Sequence, residues 1–146
     1  MSLSDAEVTG LRNYLLGGGF LMVDDFWGEE EWESLGAELR RVFPDREPVE
    51  LSTDHEIFGS FYEFNEKPQV PSLGALQQGN TFERDAAEPH YFGLLDDTGR
   101  LMAVLCHNSD FGDAWEWEES PAYPREISLG RAVPMGVNIV VYALSH

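Results

Sequence analysis

The sequence predicts a layered α/β domain, and three consecutive stretches indicate it. Residues before Gly17 have the apolar spacing of an amphipathic helix, residues 20–23 form a continuous apolar run, and residues 29–41 are again helical. Helix, buried strand and helix in succession are typical of domains in which helices cover a sheet. At 146 residues with 42% hydrophobic residues, we expect residues 1–146 to form a single domain.

The first helix has clear start and stop signals. Ser4 and Glu7 have the spacing of a capping box, and three glycines at 17–19 end the helix. Its apolar positions recur on one face: Val8, Leu11 and Leu15. The run Phe20–Val23 follows at once, and its continuous apolarity predicts a strand that is buried on both faces.

The second helix has charges that suit the helix dipole. Glutamates occupy positions 29–31 in its first turn, Arg40 and Arg41 lie in its last turn, and Pro44 stops it. Its buried stripe is predicted to be Trp32, Leu35, Leu39 and Val42. We expect Asp25 or Gly28 to cap this helix.

The middle of the chain predicts a β-hairpin. Residues 91–95 and 101–105 are apolar runs joined by the turn sequence DDTGR at 96–100. Residues 49–51 predict a short strand. Residues 65–90 contain prolines, glycines and many polar residues, so we expect a long irregular segment, which is usually functional or mobile.

The last third predicts an edge strand and a helix. Trp115 and Trp117 alternate with glutamates, and a period of two favours a strand that buries both rings. Residues 133–144 are apolar on nearly every face, which predicts a buried final helix with Pro134 in its first turn.

The charge balance argues against one class of partner. The chain has 27 acidic residues against 9 Lys and Arg, a formal net charge of −18. We therefore expect no nucleic-acid binding, and an attraction for cations or a basic partner. No apolar run of about 18 residues and no signal peptide are seen, so we expect no membrane insertion by this chain.

Cys106 and His107 are candidate catalytic residues, and His55 is a third. A nucleophilic thiol needs a base within hydrogen-bond reach. Adjacent residues on a strand point to opposite faces, so Cys106 and His107 cannot pair while the chain stays extended. We therefore interpret Cys106 as a small buried hydrophobic residue, and catalysis by these three residues as the minor alternative.

A second candidate site combines acids and amides at predicted strand ends. Asp24 and Asp25 follow the first strand, at the sheet edge where α/β domains bind ligands. The loop after the hairpin adds Asn108, Asp110 and Asp113, followed by Trp115. The oxygens of the three loop residues suit Mg²⁺ or Ca²⁺, although their spacing is not that of an EF-hand. We expect Asp24 and the loop to face each other across one sheet edge.

Several stretches together resemble a known family. They are LRNYLLGGGFLMVDDFWG at 11–28, HEIF near residue 55, the segment 88–117 and MGVNIVVYALSH at the end. These segments are similar to the bacterial domain of unknown function 4159, which is related in fold to class I glutamine amidotransferases. The resemblance implies a flavodoxin-like, three-layer α/β sandwich in a bacterial protein of the cytoplasm or the periplasm.

This chain also differs from the family pattern in two ways. Relatives begin further upstream, so we expect this chain to be the C-terminal part of the fold or a shortened relative. An incomplete sheet would leave an edge strand open, so a homodimer is also an expectation. True amidotransferases need a cysteine on a tight turn and a His–Glu pair, and neither pattern surrounds Cys106.

Two functions stay open at this point. The first is a non-catalytic module that binds a small molecule, a cation or a partner protein at a strand-end rim. This rim is formed by Asp24, Asp25, Asn108, Asp110, Asp113 and Trp115. The second is a hydrolase or amidase that is either metal-assisted, with His107 or His55 as proton carrier, or cysteine-dependent. A third interpretation is a structural fragment whose open sheet edge serves assembly.

Overall fold

A four-stranded mixed sheet forms the centre of the protein. The computed structural model describes residues 2–146, with strands β1 (Leu21–Phe26), β2 (Val49–Glu50), β3 (His90–Leu95) and β4 (Leu101–His107). Their order across the sheet is β1-β4-β3-β2. β1 and β4 are parallel, whereas β3 is antiparallel to both β4 and β2. The predicted α/β class is confirmed. Flavodoxin-like sheets are mostly parallel, so that finer relationship stays a prediction.

The predicted hairpin and short strand are confirmed. β3 and β4 pair antiparallel with one register shift between Leu94 and Leu95. The Asp96 carboxylate closes their turn by accepting hydrogen bonds from the backbone N–H groups of Thr98 (2.8 Å) and Arg100 (3.0 Å). β4 lies between two neighbours and all seven of its residues are buried. The pairing of β4 with β1 and β3 therefore positions the loop that follows His107.

Two helices cover one face of the sheet. Helix α1 (Asp5–Leu16) begins with the predicted Ser4–Glu7 capping box, and α2 (Gly28–Val42) carries the predicted charges at both ends. Their buried side chains pack with sheet residues in one hydrophobic core: Val8, Leu15, Leu35, Leu39, Val42, Leu94, Met102 and Leu105. The apolar spacing of both helices is thus explained by burial against the sheet.

The C-terminal helical segment covers the opposite face. Helix α3 (Leu73–Gln77) lies in the otherwise irregular segment 65–90, and α4 (Phe111–Glu116) follows β4. A short α5 (Arg125–Ile127) continues through a π-helical turn (Ser128–Ala132) into α6 (Val133–Ser145), which has Pro134 in its first turn as predicted. The second core contains α6 side chains together with sheet residues: Met135, Ile139, Tyr142, Tyr91, Leu101, Val104 and Cys106. The domain therefore has three layers.

The C-terminal helical stretch is apolar enough to be compared with membrane spans. Arg125–Ser145 comprises 21 residues and is long and apolar enough to cross a membrane. However, 44% of its most apolar part is buried inside the protein, and core helices of soluble proteins can have the same length and composition. The expectation that this chain does not insert into a membrane stays a prediction.

Three local predictions are wrong. β1 is an edge strand whose first four residues are half-buried, because β4 is its only neighbour among residues 2–146. Trp115 and Trp117 lie on and just after α4, because Asp110 caps a helix there and overrides the period of two. The N-cap of α2 is Trp27 rather than Asp25 or Gly28, and no side chain caps this helix.

Candidate functional site

An irregular end of β1 brings two aspartates beside the loop that follows β4. The register between β1 and β4 shifts after Val23, and Asp25 adopts a left-handed φ of 53°. The Asp25 N–H donates to the Ser109 carbonyl at 3.0 Å, and the Gly112 N–H donates to Asp24 Oδ2 at 2.9 Å. Because the two strands are parallel, their carboxyl ends meet at one edge of the sheet.

The loop after β4 adds two more carboxylates to this edge. Asp110 is buried and is the N-cap of α4, where its Oδ1 accepts a hydrogen bond from the Asp113 N–H at 2.7 Å. Asp113 Oδ2 accepts from the Leu73 N–H at 2.7 Å, which ties α3 to the same edge. Asp24, Asp25, Asp110 and Asp113 are defined here as the acidic edge.

Burial and mutual repulsion perturb the acidic edge. Burial raises the pKa of Asp24 to about 7, and the hydrogen bond from the Gly112 N–H offsets only part of that effect. Burial, with repulsion from the other three carboxylates, also raises the pKa of Asp110 to about 7. The pKa of the more exposed Asp25 is raised mainly by partial burial. Near neutral pH the acidic edge therefore holds protons that solvated carboxylates would have lost.

Two polar atoms at the acidic edge are buried without a hydrogen-bond partner among residues 2–146. They are Asp24 Oδ1 and the hydroxyl oxygen of Ser109, the residue that precedes Asp110. Such atoms are rare in proteins because an unpaired buried polar group costs about 1–3 kcal/mol. Residues 2–146 contain no group of three or more His, Cys, Asp or Glu side chains arranged to hold a metal ion.

Asn108 acts as a structural clamp beside this edge. It has a left-handed φ of 65°, a conformation that asparagine tolerates better than most residues. Its Oδ1 accepts from the Gly28 N–H at 3.0 Å, and its Nδ2 donates to the Glu88 carbonyl at 2.7 Å. The amide therefore joins β4, the start of α2 and the irregular segment. The side-chain oxygen of Asn108, which was predicted as a metal ligand, accepts this backbone hydrogen bond from Gly28.

The family of this chain is shown by a match along its length. A domain of unknown function (DUF4159) matches residues 1–144. The chain belongs to this family. A search of curated proteins found no match. The acidic edge and α6 both lie inside the matched residues.

Trp115 is separated from the acidic edge of this DUF4159 domain. Its indole N–H donates to the Ala132 carbonyl at 3.2 Å, and its ring lies against Phe111 and Gly136. The ring therefore belongs to the side of the protein formed by α6. The predicted rim is thus divided, since the structure brings the four aspartates together and directs Trp115 elsewhere.

The three catalytic candidates of the DUF4159 domain do not form a group. Cys106 is fully buried within β4 rather than after it, and burial raises the pKa of its thiol well above the ordinary value. His107 packs against Phe26 on the opposite face, with Nε2 3.1 Å from the Gly28 carbonyl oxygen. His55 caps a 3₁₀ turn (Glu56–Phe58) through its Nδ1, and burial lowers its pKa. This arrangement gives the thiol no activating base.

Three residues near the acidic edge are absent from the sequence predictions. Ser72 donates a hydrogen bond to Glu83, and Glu83 is close enough to Asp25 to contribute to its raised pKa. The Tyr123 hydroxyl donates to the Pro71 carbonyl at 2.7 Å. Burial and three carboxylates of the edge raise the Tyr123 pKa. The long segment 65–90 is a sequence signal for Ser72 and Glu83, whereas Tyr123 lies outside it.

Proposed function

We propose that this DUF4159 chain is a non-catalytic binding module whose acidic edge holds a protonated amine. The amine belongs to a small molecule or to a side chain of a partner protein. The observation that carries the proposal is geometric: Asp24, Asp25, Asp110 and Asp113 meet at one sheet edge, where burial also raises the pKa of Asp24 and of Asp110 to about 7. A cation placed between them would remove their repulsion and supply hydrogen-bond donors.

An amine suits this edge better than a metal ion. An ammonium group carries three donors in a compact charge, and the exposed Asp25 and the half-buried Asp113 offer carboxylate acceptors that a ligand can reach. Mg²⁺ and Ca²⁺ take about six to eight oxygen ligands, from protein groups and from water. Oxygens of Asn108, Asp110 and Asp113 already accept backbone hydrogen bonds. The net charge of −18 also attracts cations over a distance.

Proton release on binding tests this proposal. A cation beside Asp24 and Asp110 lowers their pKa values, so an amine that binds at pH 7 must displace protons. We would titrate the protein with a short diamine by calorimetry in two buffers of different ionisation enthalpy. We expect a net release of protons, which Asp24→Asn and Asp110→Asn reduce and the exposed control Asp54→Asn leaves unchanged. Binding without proton release, or no binding at millimolar diamine, would contradict the proposal.

A hydrolase is the second candidate, and the same two carboxylates favour it. A pKa near 7 is the range in which a carboxyl group can exchange a proton during catalysis. The metal-assisted version, with His107 or His55 as proton carrier, predicts thermal stabilisation by millimolar Mg²⁺, Ca²⁺, Mn²⁺ or Zn²⁺ and turnover of ester or amide substrates. Stabilisation by a metal without any by the diamine would favour this candidate over the binding module. The buried thiol argues against the cysteine-dependent version.

The amidotransferase-like relationship is proposed in a degenerate form. The parallel β1–β4 pair, covered by α2 on one face and α6 on the other, supports it. Cys106 lies inside β4 and is fully buried, so this chain has the layered fold without an accessible thiol nucleophile. Transfer of ammonia from glutamine by the purified protein would contradict this proposal.

A further inference from the structure

An apolar groove runs along the outer face of α6, away from the acidic edge. Its volume is about 670 Å³, and it is lined chiefly by Trp115, Leu129, Val133, Val137 and Val140. Val140 is 57% exposed and Trp115 is 42% exposed. The positions 129, 133, 137 and 140 recur at intervals of four and three residues, which is the spacing of a helix face that packs against another helix.

The groove is formed before any partner binds. The Trp115 indole N–H donates to the Ala132 carbonyl at the end of the π-helical turn, which fixes the ring against α6. A Cβ on Gly136 would lie 2.8 Å from Trp115 Cζ2, so a glycine is needed for this close approach. π-Helical turns are frequent at functional sites. A wall held in place by a hydrogen bond and a close ring contact lowers the entropic cost of binding.

The charges beside the groove specify its occupant. Glu116 is the last residue of α4, and Glu118 and Glu119 follow it. Glu118 lines the groove and has Arg125 as an ion-pair partner at 3.5 Å. The whole chain has a net charge of −18, which opposes the approach of a second copy. A partner that complements this surface has apolar residues along one helix face and lysines or arginines beside them.

We propose that the α6 groove binds an amphipathic helix whose apolar stripe is flanked by basic residues. This surface is separate from the acidic edge, and the proposal does not depend on the amine site. The apolar stripe lies against Val133, Val137 and Val140, and the basic flank faces Glu118. Burial of apolar surface provides most of the affinity, and the charges determine the orientation and the choice of partner.

A pair of matched peptides tests the proposal on the full chain. The probe is an 18-residue fluorescent peptide of leucine, lysine and alanine with leucines at i, i+4, i+7 and i+11. Its control has the same composition with the leucines scattered around the helix. Both carry the same charge, so only a groove that recognises the stripe separates them. We expect the scattered peptide to bind at least about tenfold more weakly by fluorescence anisotropy.

Two exposed substitutions of similar size locate the binding surface. Val140→Ser shortens the groove wall, and we expect about fivefold weaker binding of the probe. Leu16→Ser on α1 changes a side chain that is 52% exposed on the other face of the sheet, and should leave the affinity unchanged. Circular dichroism melting confirms that both variants fold.

Several results would overturn the proposal. Equal affinity for both peptides would mean that the peptides bind through their charge alone. Unchanged affinity of the probe for Val140→Ser would mean that the probe binds outside the α6 groove. A dimer in light scattering that Val140→Ser dissociates would identify a second copy as the occupant. Binding to zwitterionic lipid vesicles that Val140→Ser abolishes would identify a membrane surface instead.

Discussion

Replacing Asp24 with asparagine tests the electrostatic account of the acidic edge. Asparagine has the same shape, and its carbonyl can accept the hydrogen bond that the Gly112 N–H gives to Asp24 Oδ2 at 2.9 Å. Burial raises the pKa of Asp24 to about 7, so above neutral pH the native protein keeps a poorly solvated negative charge there. Asp24→Asn removes that charge. We therefore expect the variant to be more stable than the native protein at pH 8.

The magnitude follows from the shift in pKa. The ordinary value is 3.8 and the folded value is about 7. At 1.36 kcal/mol per pKa unit, the difference corresponds to roughly 4 kcal/mol. The asparagine NH2 group takes the buried position of Asp24 Oδ1, where no acceptor is seen among residues 2–146, and this offsets part of the gain, so we expect a net gain of about 1–3 kcal/mol in the free energy of unfolding at pH 8.

The direction of the Asp24 pKa shift determines the pH range in which the stability changes. The folded protein keeps the Asp24 proton up to about pH 7, whereas the unfolded chain loses it near the ordinary value of 3.8. Stability therefore falls as pH rises through this interval, and the full penalty is present above it.

Urea unfolding at pH 5 and pH 8 measures this penalty. The gain of Asp24→Asn at pH 8 should exceed its gain at pH 5 by at least about 1.5 kcal/mol. Asp54→Asn, at an exposed position, removes one negative charge without this burial and should show no such pH dependence. Equal gains at both pH values, or a loss of stability at pH 8, would refute the reasoning.

Three further outcomes follow from the structure. Asn108→Ala removes two buried hydrogen bonds at a left-handed position and should cost about 2–4 kcal/mol in urea unfolding, of which Asn108→Gly recovers only the conformational part. Gly93→Ala places a Cβ 2.5 Å from the Leu101 side chain, so we expect a loss of about 1–3 kcal/mol and a lower melting temperature. Iodoacetamide should label Cys106 only in urea, because the thiol is fully buried and its pKa is raised; fast labelling of the native protein would restore the thiol as a candidate nucleophile.

The sequence predicted those elements whose signals are local. The capping box at Ser4, the charges of α2 and the turn at Asp96 act within a few residues, and each of these elements forms as expected. The edge position of β1 could not be predicted in the same way. An apolar run such as residues 20–23 looks alike in a central and an edge strand, and only the pairing order shows which neighbours exist.

The candidate site was only partly accessible to sequence reasoning. Strand-end acids could be expected at one edge because parallel strands end together, and the structure places Asp24 beside the loop that contains Asp110. Trp115 could not be placed, since the contact of its ring with Gly136 joins positions 21 residues apart on separate helices. The interpretation of Asn108 as a ligand failed to anticipate its hydrogen bond to Gly28, which is 80 residues away in the sequence.

Within residues 2–146, β1 has a neighbouring strand on one side only, and this has a consequence for colloidal behaviour. An edge strand with unpaired backbone groups is a template for aggregation, and charged side chains on it are a common protection. The exposed Asp25 lies on that strand, so its ionisation places a negative charge at this edge. Because the pKa of Asp25 is raised, this protection is lost at a higher pH than it would be for an ordinary aspartate. Self-association measured by light scattering should therefore begin to rise while the pH is still above the isoelectric point of about 4.3.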